Sequence, residues 1–310
     1  MNWHAVDRTT LLRLLLPILI CVGGYAAFPA AAQKAEKPKP ARSAYWDQVE
    51  CATCHQELVA DFAGTRHGRA MEFGGWRELN CQSCHAGTSE HAASADPTQV
   101  KNPAKLSVAE VTENCMSCHA TERHAQHWYG SAHDTSNVSC LDCHSLHHPK
   151  SEEKLLAKRT DAELCFTCHA DVRKAQFQRS THLQRSEWSE MRVSCVSCHQ
   201  PHGSASEKLL RAASLNETCY TCHQEKRGPL LWEHAPVREN CLNCHRPHGS
   251  NHPGLLTQRA TTLCQSCHLQ GRHQTVAGRT NSAWVINRGC LNCHPQIHGS
   301  NHPSGVIFQR

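Results

Sequence analysis

The chain has 310 residues, only 5% of them aromatic, with a mean hydropathy of −0.56 and a formal charge of +5. So polar a composition excludes an ordinary core of packed side chains, leaving either disorder or a core that the polypeptide does not itself supply. The 21 cysteines and 26 histidines argue against disorder.

In chain order, residues 1–32 carry Arg8 and Arg13 ahead of an apolar run over residues 14–28, then close on Ala30, Ala31 and Ala32. This pattern predicts a cleaved secretory signal peptide. Pro17, Gly23 and Gly24 interrupt the run, which is short for a membrane anchor. Ile20 stands before Cys21 where a lipoprotein signal has a small residue. Residues 33–46 read as a flexible leader rich in Lys, Pro and Ala. Beyond it there is no second apolar run of membrane length and no alternating pattern of barrel strands.

Every cysteine after the signal falls in a Cys-x-x-Cys pair, and a histidine follows each pair directly. The pairs are Cys51 and Cys54, Cys81 and Cys84, Cys115 and Cys118, Cys140 and Cys143, Cys165 and Cys168, Cys195 and Cys198, Cys219 and Cys222, Cys241 and Cys244, Cys264 and Cys267, Cys290 and Cys293. The histidines are His55, His85, His119, His144, His169, His199, His223, His245, His268 and His294. A disulfide scaffold has no reason to place histidine there, and structural zinc joins two pairs in one tetrahedron without it. Two thiols that can form thioethers to one haem, with an imidazole to meet its iron from the same side, account for the whole motif. The sequence therefore predicts ten covalent c-type haems (Fe). It also predicts a multihaem cytochrome c fold: short α-helices and loops wrapped around the macrocycles, elongated, with no significant β-sheet. The haem propionates offset the formal positive charge, so the sequence gives no argument for nucleic acid binding.

The sites come in twos, each two joined by a linker with one tryptophan and a histidine. The linkers hold Trp76 with His67, Trp128 with His133, Trp188 with His182, Trp232 with His234, and Trp284 with His273. Behind each second site follows a further histidine: His91, His147, His202, His248 or His298. This is a two-haem module repeated five times. Its five linker and five trailing histidines supply ten second axial ligands, closing every iron and leaving only electron transfer. His124, His127, His148, His252 and His302 are spare, which predicts that the tenth haem depends on His298 and not on His302. Which of the ten serves which iron is not fixed by spacing. Met71, Met116 and Met191 are the only methionines after the signal, so histidine pairs and low potentials are expected. The tryptophans read as packing against porphyrin. Leu155-Leu156, Leu209-Leu210 and Leu255-Leu256 precede the next site by eight or nine residues, as though a helix starts there. Residues 92–114, with Pro97 and Pro103, read as a surface loop.

Ten sites in this length, His91 six after His85, and the ending Cys290-Leu-Asn-Cys293-His294 through Ile297-His298-Gly-Ser-Asn-His302-Pro303 resemble the periplasmic decahaem cytochromes of the MtrA/DmsE family. The resemblance covers essentially the whole chain after the signal peptide, with residues 47–310 as the decahaem electron-transfer domain. It implies two five-haem halves, about residues 47–180 and 181–310. It further implies a wire held inside an outer-membrane porin-like β-barrel partner, linking periplasmic electron carriers to extracellular minerals or an extracellular multihaem cytochrome. Haem-to-haem steps of about 10 Å would let ten haems cross a membrane of roughly 40–45 Å, and loops cannot face lipid without a sheath. The alternatives are a soluble periplasmic shuttle and a multihaem reductase with an open iron. No Cys-x-x-Cys-Lys motif occurs to mark the second. The direction of electron flow is open.

Overall fold

The computed structural model describes residue 45 and residues 49–73, 79–152, 154–182, 193–269 and 289–308. The signal peptide, nearly all of the leader, His273, Met191, Trp76, Trp188 and Trp284 lie outside the described residues. The described residues belong to one compact unit.

The described helices are short: α1 Gln56–Ala63, α2 Arg66–Phe73, α3 Thr88–Ser94, α4 Val108–His119, α5 Ala132–Thr135, α6 Cys140–Cys143, α7 Asp161–Cys165, α8 Ala170–Ala175, α9 Cys195–Cys198, α10 Leu215–Tyr220, α11 Ala235–Glu239 and α12 Ala260–Gln265. Several 3₁₀ turns join them, among them Cys81–Ser83, Cys241–Asn243 and Cys290–Asn292. Among the described residues there is no β-strand, only isolated two-residue bridges. The expected fold class, short helices and loops without a sheet, holds among the described residues.

Local sequence explains where the helices start. Ser107 and Thr160 head Ser-x-x-Glu and Thr-x-x-Glu stretches, and Ser214 heads another; each side chain accepts from the N–H of Glu110, Glu163 or Glu217. These caps open the helices that run into the first site of modules two, three and four. At the second sites the cap directly precedes the first cysteine: Asn80, Ser139 and Asn240 each accept a main-chain N–H from the turn they open.

The apolar interior is sparse. Ala52, Val59 and Met71 form one cluster and Met116, Ala125 and Trp128 another. With Val111, Leu155 and Leu156 they are all the buried apolar residues described, and none lies beyond Leu156. The second half of the chain thus has no side-chain core among its described residues, as the composition required.

Two expectations change. The paired leucines start no helix: Leu155, Leu209 and Leu255 adopt left-handed φ of 52°, 54° and 58°, and Leu156, Leu210 and Leu256 bridge back to His144, His199 and His245. The helices that follow begin at Asp161, Leu215 and Ala260. Apolar spacing hid this because the leucines fold onto the preceding site, not the next one. Residues 92–114 are also less loop-like than expected, since α4 starts at Val108 on its Ser107 cap. The remainder turns back so that the carbonyls of Asp96 and Lys101 meet the Nδ1 atoms of His91 (2.9 Å) and His85 (3.2 Å).

Candidate haem-binding sites

Each attachment motif is one turn of helix. The N–H of His55 donates to the Cys51 carbonyl at 2.9 Å, and the same i to i−4 bond recurs from His85, His144, His169, His199, His223, His245, His268 and His294. That turn sets residues i, i+3 and i+4 on one side, bringing two thiols and an imidazole to one face. The twenty cysteines form no disulfide. Among the described residues no group of three or more His, Cys, Asp or Glu side chains converges to hold a bare metal ion.

Consecutive sites lie next to one another in sequence order. Inside each module the first cysteines of the two sites lie beside one another: Cys51 and Cys81, Cys115 and Cys140, Cys165 and Cys195, Cys219 and Cys241, Cys264 and Cys290. Between modules the second cysteines are neighbours: Cys84 and Cys118, Cys143 and Cys168, Cys198 and Cys222, Cys244 and Cys267. The ten motifs therefore follow one another in a file, with first cysteines adjacent inside a module and second cysteines near one another between modules.

The second histidines fall into register with the first. Ring centroids are 6.1 Å apart for His55 and His91, 6.0 Å for His85 and His147, 5.9 Å for His119 and His67, and 5.8 Å for His144 and His202. They are 6.2 Å apart for His169 and His133, 6.0 Å for His199 and His248, 6.4 Å for His223 and His182, 6.1 Å for His245 and His298, and 6.2 Å for His268 and His234. A first-row metal bonded to two imidazole nitrogens at about 2 Å each separates the ring centroids by roughly 6 Å. The gaps are the width of a metal held between facing imidazoles.

The pairing also corrects one expectation: His298 faces His245, at the eighth motif, and not its own tenth motif. The rule is reciprocal. A linker histidine faces the first site of the next module, and the trailing histidine of that module faces the second site of the one before. Among the described pairs His91 alone stays within its own module, closing the N-terminal end on His55.

Main-chain carbonyls orient these rings. Nδ1 of His144, His199 and His245 lies 2.8–2.9 Å from the carbonyls of Lys154, Lys208 and Gly254, each directly before a left-handed leucine. Nδ1 of His133, His182 and His234 lies 2.8–3.0 Å from those of Pro201, Pro247 and Ile297, each directly before a trailing histidine. A carbonyl can only accept, so Nδ1 carries the proton and Nε2 presents its lone pair. Burial lowers the pKa of His67, His144, His147, His234, His248 and His298, and brings His202 down to about 4 with His144 adding to the effect. These imidazoles are neutral near pH 7, the form that ligates a metal.

The repeated His-Gly-Ser, at His202, His248 and His298, has a role that spacing did not reveal. A Cβ on Gly203 or Gly249 would collide with the carbonyl of His127 or Ala175, and one on Gly299 with the Leu230 side chain. Glycine admits the preceding module's main chain, and Ser250 and Ser300 then bridge to Ser180 and Trp232. The threefold recurrence of the tripeptide was the available signal.

Other features fit a large flat cofactor with carboxylate arms. The indole Nε1 atoms of Trp128 and Trp232 are buried without a hydrogen-bond partner among the described residues, donors for a propionate. A cavity of about 520 Å³ lies between His245 and His248, lined also by Leu242 and Pro247, within the ~300–1,000 Å³ range of cofactor sites. Met71 and Met116 sit in the two apolar clusters. The spare histidines bond elsewhere: His148 to Asp61 (3.1 Å), His124 to Glu122 (3.0 Å), and His302 Nδ1 accepts from the Ser304 N–H (3.1 Å).

Short helices carrying Cys-x-x-Cys-His turns, nine of them facing a second histidine, define a multihaem c-type cytochrome, an electron-transfer protein. A doubled CXXCH family model matches residues 190–228 and 234–273, and a cytochrome c-type NrfB-like model matches residues 81–168. The chain is 40% identical over 274 residues to the multiheme cytochrome MtrA of Shewanella baltica, covering 84% of this chain and 80% of that one. It belongs to the MtrA family. It is also 25% identical over 138 residues to the cytochrome c-type protein TorC of Escherichia coli (38% of this chain, 35% of that one). The high-molecular-weight cytochrome c of Nitratidesulfovibrio vulgaris is 27% identical over 176 residues (53% and 27%).

Proposed function

We propose that the chain holds ten haems, each tethered by one Cys-x-x-Cys pair and closed by two histidines. The nine facing imidazole pairs carry this reading. Of the twenty expected ligands these pairs leave His294 and His273, which lies outside the described residues, and we assign those two to the tenth haem. Iron cycling between ferric and ferrous supplies the electron transfer when haem is bound. The residues set the path: adjacent attachment sites keep the haems in sequence order, and full ligation excludes substrate from every iron.

Exported to the periplasm, the protein works at the outer membrane inside a porin-like β-barrel partner. It passes electrons between periplasmic carriers and extracellular acceptors or donors such as iron minerals. Among the described residues no helix is long and apolar enough to cross a membrane, and main-chain turns of this kind need a closed sheath to traverse lipid. Two five-haem halves follow from the family likeness. The test is reconstitution: the protein co-expressed with its candidate barrel is placed in liposomes enclosing a redox dye, with a reductant outside. Dye reduction that needs both proteins supports the conduit; equal electron delivery without the barrel, in free solution, points to a shuttle.

A further inference from the structure

Eight of the nine facing pairs share one device: one ring of the pair donates through Nδ1 to a main-chain carbonyl. The acceptors, in site order, belong to Asp96, Lys101, Lys154, Pro201, Lys208, Pro247, Gly254 and Ile297. The pair at the third site, His119 and His67, departs from it. His67 Nδ1 is buried without a partner among the described residues. His119 Nδ1 instead lies 3.1 Å from the Glu122 carboxylate.

The cause is a local substitution in the repeat. At the other inter-module crossings a glycine follows the trailing histidine, and the linker histidine reaches the carbonyl before it. In module two His148 follows His147 where the others have Gly203, Gly249 and Gly299. That position cannot take the close main-chain approach, and His67 is left without its carbonyl. Glu122 stands beside the other ring of the pair, His119. Its N–H donates to the His119 carbonyl at 3.1 Å, and its other carboxylate oxygen is held by His124 Nε2 at 3.0 Å. The nearest parallel, Glu225 beside His223, is 3.7 Å away, beyond hydrogen-bond reach, and its facing partner His182 keeps the carbonyl bond.

We infer that Glu122 is a positioning residue that sets the potential of the third haem apart from its neighbours. A carboxylate accepting from Nδ1 draws the proton more strongly than a neutral carbonyl does, so the imidazole becomes a stronger electron donor at Nε2. Stronger donation favours ferric iron and lowers the potential of that haem. The inference rests on the ligand pairing proposed above, with His119 and His67 on one iron. Its consequence is an energetic step between the second and fourth sites. The same pair has its ring planes crossed at 83°, against 14° for His245 and His298, so its low-spin resonance stands apart from those of near-parallel pairs.

The experiment is a potentiometric titration of the holoprotein, followed by absorbance and magnetic resonance, for Glu122→Gln, Glu122→Asp and Glu225→Gln. Glutamine keeps an acceptor but makes it neutral, like the carbonyls elsewhere. The expected result is one haem of the set moving to higher potential in Glu122→Gln, with a change confined to the crossed-plane signal, partial return in Glu122→Asp, and no shift in Glu225→Gln. Titrations of Glu122→Gln that superimpose on the parent, or an equal shift in Glu225→Gln, overturn the inference. His67→Met separates the underlying reading: methionine on that iron raises one potential strongly, and a spectrum unchanged by it means the pairing itself has failed.

Discussion

His144 and His202 belong to different modules, yet their imidazoles stand 5.8 Å apart and within 21° of parallel. The ring after one attachment motif is thus faced from the following module. Replacing His202 with Ala should open the iron tethered at Cys140 and Cys143, giving one high-spin, carbon monoxide-binding haem. Removing Cys140 and Cys143 in the same protein should abolish that signal, whereas removing Cys195 and Cys198 should not. Likewise His298→Ala should open the haem tethered at Cys241 and Cys244, while His302→Ala leaves all low-spin.

All described buried apolar side chains lie at or before Leu156, so the described residues beyond it depend on haem for a core. Protein made without haem attachment should lack cooperative unfolding, and limited proteolysis should cut residues 157–308 faster than the cluster around Val59 and Met71. Equal protection along the whole haem-free chain would contradict this.

Gly249 passes so close to the Ala175 carbonyl that a side chain has no room. Gly249→Ala should cost about 2–3 kcal/mol and displace His248 from His199. Thermal unfolding and the spin state of one haem measure the two effects together; a variant as stable as the parent, with all haems low-spin, would sink the explanation.

Lys208 has φ of 56° and is exposed, and Gly254 occupies the equivalent turn at φ of 66°. An L-residue in this conformation costs roughly 1–2 kcal/mol. Lys208→Gly should raise stability by about 0.5–1 kcal/mol once the added freedom of the unfolded chain is subtracted, and Lys208→Ile should lower it. Denaturant midpoints of the three proteins give the order.

Much of this site is legible in the sequence because its chemistry is local. Cys-x-x-Cys-His is one helical turn, and the caps at Ser107, Thr160 and Ser214 sit a fixed number of residues from the glutamates that answer them. The trailing and linker histidines can be picked out by their repeat. Their partners cannot, since His298 meets His245 across 53 positions and only the crossing of two main chains decides it. The left-handed leucines were hidden for a similar reason: apolar spacing reports that a residue packs, and says nothing of the sign of its φ or of the carbonyl it aims. His148 passed as a spare histidine, although its meaning lies in the glycine it replaces.

The reciprocal facing of neighbouring modules governs how such a chain can change length. Every internal junction makes the same two-way exchange, and the N-terminal end closes on itself through His55 and His91. Removing or adding one internal module leaves its flanks with partners of the correct kind, whereas a single attachment motif gained or lost strands a histidine on each side. Growth of the conductor is therefore stitched in units of two haems, and chains holding an odd number need a differently built terminus.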